Sequence, residues 1–331
     1  MKAIVFDRCG DPEQVLQLRD LPEPKPARRQ VRVRMLASPI NPSDLLFIQG
    51  RYGRQPELPA SPGFEGVGIV EESGGGLLGW RVRGRRVAVL GALSGCWREQ
   101  VIVPAHQAVP VPVDVPDEQA AAFFVNPATA LIMTRHVLRV PRGAWLLQTA
   151  AGSALGRMVI RLGKRDGFRT INVVRRREQA EELLREGADA VICTADESIS
   201  ERVGALTSGA GVPFALDAVG GATGSEVVRT LAAGGRMLVY GTLSFEPLWI
   251  DPRTLIVGQK RVEGFWLGEW VARQGLLTKL RLVRTIGRLM SAGVLTSPVS
   301  ATYPMEKIHE AVRAAAQPGR PGKLILRISP A

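Results

Sequence analysis

The chain of 331 residues is long enough for two domains, each with its own core. A content of 45% hydrophobic and 22% charged residues is that of a water-soluble globular protein, and no apolar run reaches the length of a membrane helix. Its three cysteines, Cys9, Cys96 and Cys193, are scattered and odd in number, which excludes a disulfide framework and suits a reducing cytoplasm. The start, MKAIVFDRCG, runs straight into an alternating strand with no targeting peptide, so the expected compartment is the cytoplasm. A net charge of +12 invites a nucleic-acid partner, but the Arg residues are dispersed and lack interleaved aromatics. A polyanionic small ligand or an acidic carrier protein would use part of that charge, and compositional drift toward Arg accounts for most of it.

Residues 1–118 read as β-rich and loop-rich, with short alternating runs at 3–6, 31–36, 67–71, 86–90 and 97–103 punctuated by Pro and Gly. Residues 22–26, alternating Pro with charge, form a stiff connector. Asn41-Pro42-Ser43-Asp44 marks a turn followed by a short capped helix. From Pro116 the pattern is helix, a break at Asn126-Pro127, and helix again.

The next stretch organises the rest. Trp145-Leu146-Leu147 is a buried strand, followed at once by the small residues Ala150, Ala151, Gly152, Ser153 and Ala154, then Leu155 and Gly156. Met158, Val159, Ile160 and Leu162 fall on one helical face, and 170–174 is a second strand. Strand, small turn, helix and strand make the βαβ unit that binds a dinucleotide pyrophosphate, because phosphates need close backbone approach and helix-start N–H groups. The three fingerprint glycines fall at Ala151, Ser153 and Gly156, so only the last is glycine; an ordinary tight crossover is the alternative. After the second strand come Arg175, Arg176 and Arg177, with no acid before Glu178. A carboxylate there holds a ribose 2′-hydroxyl, whereas guanidinium groups meet a 2′-phosphate, so the expected cofactor is NADPH.

Strands at 190–193, 214–217, 236–240 and 262–265, with helices at 178–186 and 223–231, continue the alternation into a doubly wound α/β sheet of about six parallel strands. Residues 270–294 read as one long amphipathic helix. A final helix at 305–315 and a strand at 323–328 return to the first domain, since a lone strand needs a partner sheet.

The order β-rich domain, Rossmann domain, returning C-terminus resembles the medium-chain dehydrogenase/reductase superfamily over the full length. Within it the chain is most similar to the 2-enoyl thioester reductases of mitochondrial-type fatty acid synthesis, with quinone oxidoreductases next. The residues that carry the resemblance are Ile40-Asn41-Pro42-Ser43-Asp44, Ile48-Gln49-Gly50-x-Tyr52-Gly53, Glu57-Leu58-Pro59, Gly95-x-Trp97-Arg98, Asn126-Pro127-x-Thr129-Ala130, Thr170 to Arg175, and Gly264-Phe265-Trp266-Leu267. It implies a GroES-like catalytic domain over 1–118 and 270–331, a Rossmann NADPH domain over 119–269, and a homodimer.

The same resemblance implies reduction of the C=C bond of a trans-2-enoyl thioester on coenzyme A or an acyl carrier protein. Hydride reaches the β-carbon, and Tyr52 or a water it orients protonates the α-carbon. Tyr52, Trp266 and Asn41 are the implied active-site residues. Asn126 and Thr129 line the nicotinamide side, Tyr240, Gly241, Thr242 and Phe265 complete the cofactor set, and Lys323 touches phosphate. Bland readings stand beside these: a loop Tyr packed on Pro56 or Pro59, a core Trp, a turn Asn, and a strand-start Lys. Where zinc relatives carry a catalytic Cys and Gly-His-Glu, this chain has Ser38 and Gly63-Phe64-Glu65. His106, His136 and His309 lack ligand spacing, so a metal-free enzyme is expected. A quinone or 2-alkenal reductase is the nearest alternative, and an RNA-binding relative a remote one.

Overall fold

A computed structural model describes residues 1–90, 95–317, 319 and 322–329. Contacts divide the chain into two compact units, Met1–Pro127 with Leu280–Ala331, and Ala128–Lys279. In chain order unit 1 begins with β1 (Lys2–Val5), α1 (Pro12–Val15), β2 (Gln17–Asp20), β3 (Gln30–Pro39), α2 (Pro42–Ile48), β4 (Glu65–Ser73) and α3 (Leu77–Val82). It continues through β5 (Arg86–Leu90), β6 (Gln100–Pro104), β7 (Ala108–Pro110) and α4 (Asp117–Ala121), and α5 (Val125–Leu131) carries the chain onward. Unit 2 holds β8 (Trp145–Gln148), α6 (Ala154–Asp166), β9 (Arg169–Val174), α7 (Arg177–Arg185), β10 (Ala190–Cys193), α8 (Ile199–Leu206), β11 (Val212–Asp217) and α9 (Gly221–Thr230). Then follow β12 (Leu231–Val239), α10 (Pro252–Gly258), β13 (Arg261–Gly264), α11 (Leu267–Ala272) and α12 (Leu276–Ser291), and the return is β14 (Val299–Pro304), α13 (Ile308–Ala316) and β15 (Lys323–Arg327).

Unit 1 is built on a sheet ordered β14-β15-β3-β4-β5-β7, with β6 also paired to β3 and a separate β1-β2 pair. The C-terminal strand does find its partner: β15 runs antiparallel to β3, with Ile325 opposite Pro39. Alternation along β3 buries Val31, Val33 and Met35 against Val87, Val89 and Val101 on one side of the sheet. A second core gathers Phe6, Ile40, Phe47, Ile48 and Trp97 with the apolar face of α13.

Unit 2 is a six-stranded sheet ordered β10-β9-β8-β11-β12-β13, and every pairing in it is parallel. Starting at β8 this is the doubly wound dinucleotide order, whose ligands bind beyond the carboxyl ends of the strands where the winding reverses. Here that point lies between β8 and β11.

Four expectations change. The strands β2, β7 and β14 were not read from the sequence; β2 offers one apolar residue in four, β7 is three residues long, and β14 is an edge strand with no buried residue. The strand expected at 97–103 starts only at Gln100, Arg98 making an isolated bridge to Ala3. The helix does not break at Asn126-Pro127: Pro127 sits in the first turn of α5, where an N–H has no intrahelical partner to lose, and the break falls at Ala122–Phe124 instead. The helix expected over 270–294 is two helices, α11 and α12, divided at Gln274-Gly275.

Candidate active site

In unit 2 the chain leaves β8 into a turn with Ala150 in the left-handed region at φ 50°. Ser153 caps α6, its Oγ accepting from Gly156 N at 3.1 Å. A Cβ on Gly156 would overlap the Ala151 carbonyl, so the one retained fingerprint glycine is where helix and turn pack without room for a side chain. Ala151 is buried and donates its N–H to Val173 O at 3.1 Å, while Ser153 and Ala154 stay partly exposed. Helix geometry leaves the first-turn amides of Ala154 and Leu155 for an external acceptor.

A buried polar ladder supports this turn from below. Gln148 Nε2 donates to Gly156 O at 2.9 Å and to Asn172 Oδ1 at 2.7 Å, and Asn172 Nδ2 donates to Thr170 Oγ1 at 2.9 Å. Arg157, missed by the sequence reading, is buried beside it: Nε donates to Gly152 O at 3.3 Å, and the guanidinium pairs with Glu182 at 2.7 Å and with Glu186. The signal existed, since a base in an apolar helical face needs a partner, and Glu182 and Glu186 stand four apart on one face of the next helix.

At the end of β9, Arg175 and Arg176 are exposed, Arg176 capping α7, and Arg177 pairs with Asp196 at 3.0 Å. That carboxylate raises the Arg177 pKa. At the switch point Thr149 Oγ1 donates to Asp217 Oδ1 at 2.6 Å, and the same carboxylate accepts from Val219 N and Gly220 N at 3.1 and 2.9 Å. Tyr240 follows β12, its N–H donating to Asp217 O at 2.9 Å. Its hydroxyl is buried without a hydrogen-bond partner among the described residues, and burial, then the nearby Asp217, pushes the phenol pKa up. A Cβ on Gly241 would come within 2.8 Å of Ala218 O, so the β11 and β12 ends need glycine there. Thr242 closes a turn through its carbonyl to Phe245 N, Phe265 N donates to Val239 O at 2.8 Å, and Trp266, exposed, caps α11. Thr129 is buried on α5 and Trp270 packs its ring on His136 at 5.5 Å. The turn, the orphaned phenol and the exposed Arg175 and Arg176 together make a donor set that fits a phosphorylated dinucleotide.

In unit 1, Asn41 caps α2 and Asp44 reaches back to it: Asp44 Oδ2 accepts from Asn41 N at 2.7 Å, and Oδ1 accepts from Phe64 N at 3.1 Å. Asp44 is fully buried, and burial pushes its carboxyl up to about 7. The Asn41 side chain is tied at both ends, Nδ2 donating to Glu65 Oε1 at 3.1 Å and Oδ1 accepting from Lys323 Nζ. Lys323 is itself buried and pairs with Glu65 at 3.7 Å. The other Glu65 oxygen accepts from Phe124 N and Val125 N at 2.9 and 2.8 Å, fastening the start of α5, on which Asn126 lies partly exposed. Asn41 is therefore a tie inside a buried polar cluster, and Lys323, the first residue of β15, is a buried member of that cluster.

Tyr52 lies apart from that cluster in the loop after α2, its N–H donating to Leu46 O at 3.1 Å. Its ring lies tilted against Phe64 at 5.1 Å, and Phe64 meets Phe47 at 5.4 Å. Trp97 is core, and burial pushes the Cys96 thiol up, leaving it inert.

The positions that bind zinc in metal-dependent relatives do not fit a metal here. Ser38 Oγ donates to Glu65 O at 2.6 Å, Phe64 is an apolar ring, and the Glu65 carboxyl is committed to α5, Asn41 and Lys323. Among the described residues no group of three His, Cys, Asp or Glu is placed to hold a metal ion. His106 is exposed, His136 lies on Trp270, and His309 contacts Glu13 O at 2.8 Å.

Residues 27–113 match the family profile described as "Alcohol dehydrogenase GroES-like domain", and residues 154–281 match "Zinc-binding dehydrogenase". The chain is 34% identical over 330 residues to human "Enoyl-[acyl-carrier-protein] reductase, mitochondrial", covering 98% of this chain and 88% of that protein. It is 34% identical over 333 residues to the Xenopus tropicalis protein of the same name, covering 98% and 95%. Among solved structures, a putative NADPH:quinone reductase from Bacillus thuringiensis aligns with a TM-score of 0.92 and 34% identity over 98% of both chains. Escherichia coli quinone oxidoreductase complexed with NADPH aligns with a TM-score of 0.88 and 25% identity over 99% of this chain and 100% of that one. Two units of these kinds, one GroES-like and one Rossmann-type, define a nicotinamide-dependent oxidoreductase. The chain belongs to the medium-chain dehydrogenase/reductase superfamily.

Proposed function

We propose that this protein is an NADPH-dependent reductase of the C=C bond of trans-2-enoyl thioesters carried on coenzyme A or an acidic acyl carrier protein. The observation that carries the reading is Tyr52, held in its loop with its ring on Phe64, in a chain whose curated relatives bear the name of enoyl-thioester reductases. NADPH supplies the hydride that the β-carbon accepts. The Tyr52 phenol donates to the thioester oxygen as enolate charge builds there, and it or a water it orients gives the α-carbon its proton. The amides at the start of α6 take the pyrophosphate, and Arg175 and Arg176 take the 2′-phosphate; Arg177 serves less, being occupied by Asp196. Tyr240 uses its idle hydroxyl, Gly241, Thr242 and Phe265 present backbone, and Asn126, Thr129 and Trp266 line the nicotinamide. Asn41 and Lys323 act at one remove, by holding Glu65 and so the start of α5.

A homodimer belongs to the same reading. β13 is an edge of the parallel sheet, and Trp249, Ile256 and Val257, in the segment that precedes it in the chain, are exposed.

A second reading, reduction of a quinone or 2-alkenal, is favoured by the aligned structures named as quinone reductases. Loss of NADPH absorbance with trans-2-hexenoyl-CoA, a simple quinone and a 2-alkenal, each at matched concentration, separates the two. A kcat/KM for the thioester well above the others supports the proposal, and preference for the quinone or alkenal overturns it.

A further inference from the structure

The helix α3 of unit 1 is turned inside out for a globular surface. Gly74, Gly75 and Gly76 lead into it, the last two at φ 99° and 92°. Only Gly79 and Val82 face inward, and a Cβ on Gly79 would overlap the Ser73 hydroxyl, so the helix lies flat on β4 and cannot rotate its other side chains under cover. Leu77, Leu78 and Trp80 consequently stand 80%, 54% and 76% exposed. A Trp and two Leu protruding within four residues do not form a groove; they form a wedge.

Its rim is basic on every side the chain supplies. Arg81, Arg83 and Arg85 follow directly and are exposed, and no acid occurs between Gly74 and Arg86. On the other flank Arg28 and Arg29 are exposed, with Arg29 Cγ 3.5 Å from where a Cβ on Gly76 would stand. The nearest acids along the chain, Glu71 and Glu72, are already held by Arg32 and Arg34. None of the five rim arginines has a carboxylate within ion-pair distance among the described residues.

We propose that α3 and its arginine rim dock this protein on an anionic lipid surface, with Leu77, Leu78 and Trp80 entering the headgroup boundary. Protruding Leu and Trp are what that boundary takes up, the indole ring being placed there by its apolar body and polar N–H, and arginine stems reach from such a depth to lipid phosphates. A folded acidic partner would satisfy the charge, but three projecting apolar side chains would need a matching cavity on it. Each basic residue near an anionic surface raises partitioning about fivefold, so the rim and the wedge act together.

The test is co-sedimentation of the full chain with vesicles of phosphatidylcholine alone or mixed with phosphatidylglycerol. The wild-type protein is expected to pellet with the mixed vesicles at low salt and to remain in solution with phosphatidylcholine alone. Arg81→Ser with Arg83→Ser should weaken partitioning about twentyfold, and Leu77→Ser with Trp80→Ser at least about tenfold. Turnover of a soluble substrate in both variants reports that the fold is intact. Failure of the wild-type protein to pellet with phosphatidylglycerol overturns the proposal. So does wild-type partitioning by the Leu77→Ser, Trp80→Ser variant, which would reduce the effect to overall charge. Binding of an acidic acyl carrier protein that the same substitutions abolish, without vesicle binding, would make α3 a protein-docking face instead.

Discussion

Asp44 offers a quantitative test of the buried polar cluster in unit 1. Its carboxyl titrates at about 7 in the folded protein, against about 3.9 in an unfolded chain. Between those values the folded protein keeps a proton that the unfolded chain has released. The stability this group contributes is complete below about pH 4, falls as pH rises, and is gone once pH passes about 7. At 1.36 kcal/mol per pH unit, and with the slope halving as pH reaches the folded pKa, the fall from pH 5 to pH 7 is about 2 kcal/mol. Burial drives the shift; the amides of Asn41 and Phe64 and the Lys323 charge oppose it, and Glu65 adds to it. Asp44→Asn removes the titration and loses one of the two amide bonds, a cost of about 1–3 kcal/mol. Glu65, Lys323, Cys96 and Arg98 are common to both proteins, so the difference between them isolates Asp44. Urea unfolding of both from pH 5 to pH 8 should show the variant less stable at pH 5 and the wild type losing about 2 kcal/mol more than the variant by pH 7, enough to close most of the gap or reverse it. Parallel pH dependence of the two proteins would refute the reasoning.

Other perturbations read other parts of the account. Lys323→Met and Glu65→Gln should each destabilise by about 3–5 kcal/mol, because each strands a buried partner, and the double variant should cost clearly less than the sum; additive effects in a double-mutant cycle would deny the cluster. Gly156→Ala puts a methyl into the Ala151 carbonyl, so NADPH affinity, measured by cofactor fluorescence, should fall at least about tenfold (about 1.4 kcal/mol) while the fold survives. Arg175→Ala should raise KM for NADPH about tenfold and leave KM for NADH unchanged, whereas Arg177→Ala should change both little, its guanidinium being engaged by Asp196.

The parallel sheet of unit 2 was legible because each βα step announces itself: a short apolar run, then Gly or small residues, then a 3.6-residue period. Misreadings came where a local rule met a context that satisfies it differently. Pro127 reads as a break until its place in the first turn of α5 shows that it loses no hydrogen bond. β2 carries too little apolar alternation to be seen, and β14, which does alternate, is short, exposed and ends in Pro304; each pairs along a neighbouring strand, β14 with β15 and β2 with β1. The Asn41–Glu65–Lys323 cluster could not be read at all, since Lys323 and Asn41 lie 282 residues apart and no spacing links them. What the residues did disclose was chemistry: the arginines after β9, the small turn before α6, and serine and phenylalanine where zinc ligands would stand.

The part Tyr52 plays in enoyl-thioester reduction is read from kcat with trans-2-hexenoyl-CoA and NADPH for wild type and Tyr52→Phe. Phenylalanine keeps the ring on Phe64 and removes only the hydroxyl, so kcat should fall about 10²–10⁴-fold with NADPH binding unchanged. Turnover in the variant equal to that of the wild type would contradict it.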